Sequence, residues 1–535
     1  MVSSKKAQLF FNIYSQRMYI IISLMFGMCV MQYMRGSLGM SLTCMVNSTA
    51  VALQHTQTDK EPIQRGREIL NEYTMKCNAL RSGYSNMTGS NSKALNDYGG
   101  DIIWSRHEQN LLLSSMSLGS IMTMIPAGYL ADRYSPVTLI KVATLTFSIM
   151  NAVFPFLAMY LDFFAVLMAR FVSGLGEGFV SPSIFSLISR WVPNHEKSQA
   201  IAVFTIGSQL AGVLFPPVTA MFCASVLRWA GNFYSTSILM FVWLTIFHFV
   251  GVDSPSKSKV ISESERIYLE QHIHTHNKKL HGKRPSIPFK AIFTSKPVLS
   301  ALYVHFTFGF YFAMVSLFMP IFFKEVLFLN MKENGLYSAI PPFFQIISKI
   351  SWAIFIDRLK RKKIITHTMG CRISHAIGSI SCGLAFILIG YLSDCSNPLL
   401  TIGLMTTMAF CMGTSSSGAV TALVSLAPIY TGFLTSISST ILIFGTMMLP
   451  LMVSVIRVHG TVEEWRLVFY IVGAFTLSSA AVFTCFGEAE IQSWASGGGA
   501  KLPVTIEQAE IMPIEAKNLI QHEEKSKETD VEQSE

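Results

Sequence analysis

The sequence predicts an all-α membrane protein whose twelve transmembrane helices form two six-helix halves. Of its 535 residues, 51% are apolar and only 14% are charged, too few for the surface of a soluble protein of this size. The apolar residues form nearly uncharged blocks of about 20 residues or more, the length that a helix needs to cross a bilayer. Two short motifs recur about 230 residues apart, which indicates an internal repeat.

The predicted spans fall into two groups of six, separated by a polar segment. The first block is too long for a signal peptide and lacks a cleavage site, so we predict that it is retained as a span. We predict spans at residues 18–44, 109–130, 137–160, 163–189, 198–222, 229–251, 298–322, 336–356, 364–392, 399–422, 430–456 and 465–487. The chain then divides into an N-terminal tail (1–17), a first half (18–251) with an outer loop (45–108), a linker (252–297), a second half (298–487) and a C-terminal tail (488–535).

Basic residues predict the orientation of the spans. The linker carries nine Lys and Arg against four Asp and Glu, and residues 357–363 after span 8 are strongly basic. The N-terminal tail has three basic residues and no acid. The positive-inside rule makes this side cytoplasmic and places both termini there. The loop at 45–108 then faces outward or into a lumen, and its sequons predict N-glycosylation at Asn47 and Asn86.

The nine cysteines do not predict a disulfide framework. Cys77 and Cys395 fall in loops on the predicted outer side, so a bridge between them stays open. No Cys/His spacing resembles a metal site, and we expect no cofactor. Most of the other cysteines lie inside apolar segments, where we expect buried free thiols: Cys29, Cys223, Cys371, Cys382, Cys411 and Cys485.

The internal repeat predicts where the two halves work together. Residues 128–133 close span 2 and residues 353–358 close span 8, and both segments end in Asp-Arg. Trp229 and Trp465 open spans 6 and 12. Two halves related by an axis along the membrane normal place a binding site between them near mid-membrane. We expect conformational latches at the cytoplasmic helix ends, formed by Gly128, Asp132, Arg133, Asp357 and Arg358.

Several motifs resemble the major facilitator superfamily, and more finely its anion:cation symporter family, solute carrier family 17. The first is Gly128-x-x-x-Asp132-Arg133 between spans 2 and 3. The finer matches are residues 35–42, 125–129, 170–182, 189–193, 289–297, 427–432 and 464–470. The resemblance covers about residues 17–490 and implies a twelve-helix transporter, since the family includes sialic-acid/H⁺ symporters, vesicular glutamate and nucleotide transporters and sodium–phosphate cotransporters.

The sequence departs from this family where the substrate is expected. Glutamate-transporting members carry a histidine in span 2 and an arginine in span 7, and the matching positions here are Leu113 and Phe308. Polar positions of the family in spans 10 and 11 correspond to Ala422, Ser425 and Ser439. The resemblance therefore implies a less polar pocket, and glutamate is not the substrate we predict.

Ionisable residues inside spans are energetically costly and usually functional. Arg35 in span 1 and Arg170 in span 4 are the predicted substrate-binding residues, since a guanidinium suits a carboxylate. The alternatives are an Arg35 that snorkels to the outer surface and an Arg170 that forms a structural ion pair. Glu177 lies seven residues after Arg170 on the same helical face and is the predicted proton-coupling carboxylate, paired with Arg170. The resemblance implies these same roles.

Two further ionisable residues lie in the second half. His305 in span 7 is a second candidate for proton coupling, and a hydrogen-bonded packing histidine is the alternative. Lys349 lies two turns before the cytoplasmic end of span 8, where we expect it to snorkel.

Other function classes find no support in the sequence. There is no phosphate-binding Gly-x-x-x-x-Gly-Lys-Ser/Thr loop, and no enzyme constellation. Small polar residues at a helix contact explain residues 413–418 better than a serine nucleophile does. The net charge of +9 follows from membrane orientation and needs no nucleic acid. The acidic C-terminal tail is expected to be disordered, with Glu515, Leu519 and Ile520 resembling a dileucine signal for a sorting adaptor.

The sequence thus predicts an integral, multi-pass secondary active transporter in a vesicular, lysosomal or plasma membrane. It would move a small organic anion across the lipid bilayer by alternating access, coupled to protons. Sodium-coupled uptake of phosphate or an organic anion is the alternative within transport. A transport-dead receptor or an anion conductance on the same fold is the alternative from another class.

Overall fold

A computed structural model of the chain describes residues 15–48, 50–51, 77, 98–193, 196–269, 287–427, 430–458 and 460–495. Twelve helices in this part of the chain are long and apolar enough to cross a membrane, and each overlaps one predicted span. We number them α1 (Gln16–Met45), α2 (Arg106–Arg133), α3 (Pro136–Tyr160), α4 (Phe163–Trp191), α5 (Lys197–Cys223), α6 (Arg228–Val250), α7 (Lys296–Glu325), α8 (Met331–Arg361), α9 (His367–Leu392), α10 (Pro398–Leu426), α11 (Thr431–Ile456) and α12 (Val462–Phe486).

Local sequence explains the outer starts of two helices. Ser105 and Glu108 form a capping box at the start of α2, and Asn330 and Glu333 form one at the start of α8. Such a box pairs backbone N–H groups that the first helical turn leaves without partners. Helix α8 therefore begins five residues before the predicted span, because its first turn is polar and capped while the prediction followed hydropathy.

The helices pack in two groups with the same internal arrangement. In the first half α1 packs on α5 and α6, α2 on α4, and α3 on α4 and α6. The equivalent pairs in the second half are α7 with α11 and α12, α8 with α10, and α9 with α10 and α12. The halves meet where α2 packs on α11, α5 on α8 and α1 on α7. Both halves thus bury their helices in the same pattern, as the internal repeat predicts.

Glycines allow the closest helix contacts. A Cβ added to Gly174 of α4 would lie 2.0 Å from the carbonyl oxygen of Met116 in α2, and one added to Gly119 would lie 2.3 Å from that of Phe171. Gly174 and Gly119 therefore allow these two backbones to approach closely. Between the halves, a Cβ on Gly39 of α1 would lie 2.5 Å from the carbonyl oxygen of Leu317 in α7.

Two helices of the second half are interrupted. Helix α7 contains a π-helical turn at Met314–Phe318, where α1 crosses it. Helix α10 consists of Pro398–Ser415 and Ala419–Leu426, separated by a turn. Such interruptions often mark functional sites in membrane helices.

The described part of the linker packs against the first half. Glu265, in the short helix Glu263–Leu269, accepts hydrogen bonds from Ser15 and the backbone of Gln16. Arg17 is fully buried and forms an ion pair with Glu196. Burial, together with the carboxylate of Glu196, raises the pKa of the nearby Tyr268 phenol above its ordinary value.

Two disulfides join segments on the predicted outer side. Cys77 of the outer loop is bonded to Cys395 between α9 and α10, the bridge that the sequence left open. Cys44 is bonded to Cys223, so the expectation of a free thiol at Cys223 is wrong. Cys223 was counted with the apolar segments although it falls one residue beyond the predicted span 5, and it is the last residue of α5, beside the end of α1. Disulfides persist in oxidising compartments, so both bridges agree with the predicted orientation.

Candidate functional site

A buried ion pair between α1 and α4 lies at the centre of the first half. Arg35 donates from Nη1 to Oε1 of Glu177 at 2.7 Å, and Ser120 of α2 donates to Oε2 at the same distance. The side chains of Arg35 and Glu177 are only 13% and 14% exposed. Both carboxylate oxygens therefore have a donor, as a charged group in a low-dielectric environment requires.

Arg170 lies beside this pair without closing an ion pair of its own. It is 4% exposed, its guanidinium lies 5.9 Å from the ring of Phe154, and it is close enough to interact electrostatically with Arg35 and Glu177. The expected pairing of Arg170 with Glu177 is thus corrected, because Arg35 from α1 occupies the carboxylate. Sequence spacing could show that Arg170 and Glu177 share a helical face, but not that a residue 142 positions away would reach Glu177 first.

Two guanidinium nitrogens in this site are buried and lack a hydrogen-bond partner. They are Nη2 of Arg35 and Nε of Arg170. A buried N–H without an acceptor is costly, and an acceptor supplied by a ligand would remove that cost. The site therefore has two donors available to an anion while Glu177 keeps its own partners.

The second half supplies an aromatic wall. The Arg35 guanidinium lies 5.8 Å from the ring centre of Phe312 in α7. Next to it, the buried Tyr311 hydroxyl approaches the side chain of Gln345 in α8. Phe308 packs against the Tyr311 ring at 5.6 Å, and Leu113 is buried in an apolar cluster. Phe308 and Leu113, the two positions that differ from glutamate-transporting members, therefore both form apolar contacts in this protein.

His305 lies away from the Arg35–Glu177 pair in the contacts that the structure describes. Its Nδ1 is 2.7 Å from the carbonyl oxygen of Ala301, one turn earlier in α7, and the ring is 8% exposed. This geometry suits the packing alternative, and the proton-coupling role stays a prediction.

The sequence reasoning missed a second buried histidine, His375 of α9. Its Nδ1 lies 2.8 Å from the hydroxyl of Ser415, the last residue before the break in α10, and its Nε2 lies 3.2 Å from Ser379. Its ring also packs edge-on against Phe483 of α12. The criterion that selected Arg35 and Glu177 applies to His375 as well, since it is an ionisable residue within a predicted span.

A charged network at the outer end was also missed. Arg457 at the end of α11 donates through Nε to Oε2 of Glu325 at 2.9 Å and also pairs with Oε1. Trp465 donates to the same carboxylate at 3.0 Å. From the first half, Arg106 approaches Glu325 at 3.9 Å and donates to the carbonyl oxygen of Val458 at 2.7 Å. We call Arg106, Glu325, Arg457 and Trp465 the outer network.

A lysine adds a second link between the halves at the outer end. Lys324 of α7 is buried and donates to the carbonyl oxygen of Thr43 at 2.6 Å and to the hydroxyl of Ser48 at 2.7 Å. Ser48 belongs to the sequon of Asn47. The Asn47 side-chain oxygen accepts from the backbone of Ala50 at 2.8 Å, so this sequon is packed against the end of α1.

The predicted latch residues lie at the inner helix ends. Gly128 of α2 faces Ser436 of α11, with 3.9 Å between an added Cβ and the hydroxyl. Arg133 is exposed and donates to Tyr129 of its own helix, and Asp357 and Arg358 are exposed at the end of α8. The side chain of Asp132 lies outside the described residues. Their latching role stays a prediction.

Other predicted sites fall outside the described residues. These are the glycosylation site Asn86 and the sorting signal of Glu515, Leu519 and Ile520.

Comparison with known proteins establishes the family. A sequence profile of the Major Facilitator Superfamily matches residues 24–380. The uncharacterized transporter slc-17.3 of Caenorhabditis elegans is 34% identical over 491 residues, which cover 91% of this chain and 90% of the relative. The chain belongs to the major facilitator superfamily, in its solute carrier family 17 branch. It is therefore a multi-pass membrane transporter, as its sequence motifs indicated.

Other relatives and solved structures agree with this family and fold. Human sialin is 27% identical to this solute carrier family 17 chain, over 90% of the chain and 91% of sialin. Human vesicular glutamate transporter 2 is 25% identical, over 73% of the chain and 67% of the relative. The xylose transporter XylE from E. coli, solved in a partially occluded inward open conformation, superposes with a TM-score of 0.57 at 14% identity, over 88% of this chain and 99% of XylE. The fold class predicted from the sequence is confirmed.

Proposed function

We propose that this protein is a secondary active transporter of a small organic anion, working by alternating access and coupled to protons. The observation that carries the proposal is the buried Arg35–Glu177 pair, with Arg170 beside it and two guanidinium nitrogens free to donate. Three ionisable groups buried this close together in a membrane protein are costly to maintain without a function. A guanidinium can bind a carboxylate through two parallel N–H donors.

The pair also suggests how anion and proton are coupled. Glu177 depends on Arg35 for its counter-charge. An anion that binds Arg35 and Arg170 competes with the Glu177 carboxylate for its counter-charge, and a proton can then take the place of Arg35 on Glu177. Proton binding in turn releases Arg35 for the anion. Each ligand therefore favours the other, as linkage requires of a symporter.

The anion class rests on the wall of the site. The ring of Phe312 lies 5.8 Å from the Arg35 guanidinium and that of Phe154 lies 5.9 Å from the Arg170 guanidinium, and Phe308 packs on Tyr311, the neighbour of Phe312. An organic anion with an apolar body suits this wall better than inorganic phosphate does. Since Leu113 and Phe308 replace the charged positions of glutamate-transporting members, glutamate is not the substrate we propose.

Transport by the purified full-length protein in proteoliposomes tests this function. The labelled probes are sialate, glutamate, urate, phosphate and nucleotides, each under a separate pH, sodium or voltage gradient. Saturable, trans-stimulated uptake of an organic anion that a pH gradient drives supports the proposal. Accumulation driven by sodium alone would establish the sodium-coupled alternative. Binding without uptake, or non-saturable flux, would identify a receptor or a conductance.

Replacing Glu177 by Gln tests the coupling. Glutamine resembles the protonated acid but cannot release a proton, so Glu177→Gln should exchange solute between two loaded sides and fail to accumulate it under a pH gradient. The measurement compares counterflow with pH-driven uptake in the same vesicles. Glu490→Gln, an exposed glutamate after α12, is the matched control and should behave as wild type. Normal pH-driven accumulation by Glu177→Gln would make Glu177 a structural partner of Arg35 and leave His305 and His375 as coupling candidates.

A further inference from the structure

Lys349 of α8 lies on the face of its helix that meets the first half. Gly335, Pro342 and Lys349 are spaced by seven residues, two helical turns, so they share one face. A Cβ on Gly335 would lie 2.4 Å from Ala220 of α5, and one on Gly212 of α5 would lie 3.3 Å from Pro342. The first two members of this row therefore pack on α5, and Lys349 is the next member toward the cytoplasm.

The lipid-facing side of α8 is a different one. Its exposed large apolar residues are between 40% and 58% exposed: Leu336, Phe343, Phe344, Ile347, Ile350, Ile354 and Phe355. On an α-helix these positions lie about 100° or more from Lys349. Lys349 does not lie on this lipid-facing side, and its expected snorkelling toward the cytoplasmic surface stays a prediction.

Lys349 lies at about the depth of the anion site. Gln345, one turn earlier on the same face, approaches Tyr311, whose neighbour Phe312 packs on Arg35. One turn of helix is about 5 to 6 Å, so Lys349 starts about that far to the cytoplasmic side of this level. Arg35 and Arg170 belong to the first half, and Lys349 starts from the second half, about one turn to the cytoplasmic side of this level.

The charges of the site do not balance without a ligand. Arg35 is neutralised by Glu177. Among the residues that the structure describes, no carboxylate forms an ion pair with Arg170 or Lys349, and no hydrogen bond reaches the half-buried Lys349 ammonium group. Two cations, one in each half, thus lack a counter-charge within the protein, and partly buried charges are normally paired.

We propose that Lys349 binds a second acidic group of the transported anion, so that the substrate is an organic dianion bridging the two halves. This inference rests on the proposed function and narrows its substrate class. One acidic group binds the guanidinium groups of Arg35 and Arg170, and the other binds the Lys349 ammonium group. While Glu177 stays ionised and paired with Arg35, a dianion balances the charges of Arg170 and Lys349, whereas a monoanion leaves one of them unbalanced.

The test uses pairs of probes that differ by one acidic group: succinate with its monomethyl ester, and glutarate with its monomethyl ester. Their apparent affinities are measured by thermal stabilisation of the purified full-length protein and by inhibition of anion exchange. Wild type should bind the more acidic member of at least one pair about tenfold more tightly, because a buried charge pair is worth that much or more. Lys349→Met should lower the affinity for the more acidic member about tenfold and change the affinity for the less acidic member by no more than about twofold.

Matched variants separate this inference from the proposed function. Lys349→Arg keeps the charge and should retain most of the preference, and Lys362→Met removes an exposed lysine at the end of α8 and should change neither affinity. Arg35→Lys should weaken both members of a pair, because both need the guanidinium. Melting temperatures without probe show whether each variant folds.

Three results would overturn the inference. They are a wild type that prefers the less acidic member of each pair, a Lys349→Met that weakens both members equally, and a Lys349→Met with unchanged affinities. After any one of these three results, the proposed function still stands if Arg35→Lys weakens anion binding. If wild type binds and exchanges none of these anions nor those of the wider panel, the proposed function fails and this inference fails with it.

Discussion

The outer and inner ends of the molecule use charge differently. At the outer end, Arg106, Glu325 and Lys324 connect one half to the other, and the disulfide between Cys77 and Cys395 does so covalently. At the inner end, the buried Arg17 binds Glu196 within the first half. Likewise Arg372 of α9 donates to the carbonyl oxygen of Gly487 within the second half. The conformation seen here is therefore one in which the outer ends hold the halves together, and opening toward the outside requires breaking buried polar contacts.

The largest effect is expected from Glu325→Gln. This change leaves the buried Arg457 without its counter-charge and removes the contact of Arg106 across the halves. Removing one partner of a buried ion pair costs about 3 kcal/mol or more. We expect a clear drop in the melting temperature of the full-length protein in detergent. Glu463→Gln, an exposed glutamate in the first turn of α12, is the control and should melt as wild type does. Equal melting of both variants would show that the outer network does not hold the halves.

A smaller effect is expected from Lys324→Met. Methionine keeps the apolar volume but removes the ammonium donor to the Thr43 carbonyl oxygen, and a hydrogen bond to a charged group contributes about 2 kcal/mol. The melting temperature should fall less than in Glu325→Gln. The matched change Lys332→Met, at an exposed lysine in the first turn of α8, should have no effect. A fall larger than that of Glu325→Gln would place the main outer contact at α1 and α7.

The smallest effect on stability is expected at the inner end, from Asp357→Asn. Asp357 is exposed in this conformation, so its replacement should change the free energy of unfolding by no more than about 0.5 kcal/mol. If Asp357 latches the inner ends in the opposite conformation, the rate of solute exchange should nevertheless fall. A melting temperature as low as that of Glu325→Gln would show that an inner contact already forms here, and an unchanged exchange rate would remove the latch.

The sequence predicted the helices and the functional side chains better than it predicted their partners. Hydropathy locates each span, because this signal is local along the chain. Arg35 and Glu177 stand out because a charge is rare in an apolar block. Their pairing spans 142 positions, and that of Glu325 with Arg457 spans 132, so no local pattern could show either contact.

Helix ends explain most of the differences between prediction and structure. Glu325 and Arg457 lie just beyond the predicted spans 7 and 11, where charged residues look like ordinary loop residues. Cys223 lies at the end of its helix, where the apolar segment before it suggested a buried free thiol. The distance of Lys349 from the helix end suggested snorkelling, but that distance gives no information about its helical face. The packing of Gly335 and Pro342 on α5 indicates that face.

The contact of Gly39 with Leu317 places a pivot point between the halves where α1 crosses α7. The two backbones touch there, because a side chain on Gly39 would collide with the α7 backbone. Since a helix rises about 1.5 Å per residue, Arg35 lies about 6 Å from this point along α1 and Gln16 about 35 Å. A rigid rotation of one half about the crossing therefore moves the inner end of α1 about six times as far as it moves Arg35. Under such a rotation the inner end of α1 would be displaced widely, while the Arg35 guanidinium would stay close to its ligand.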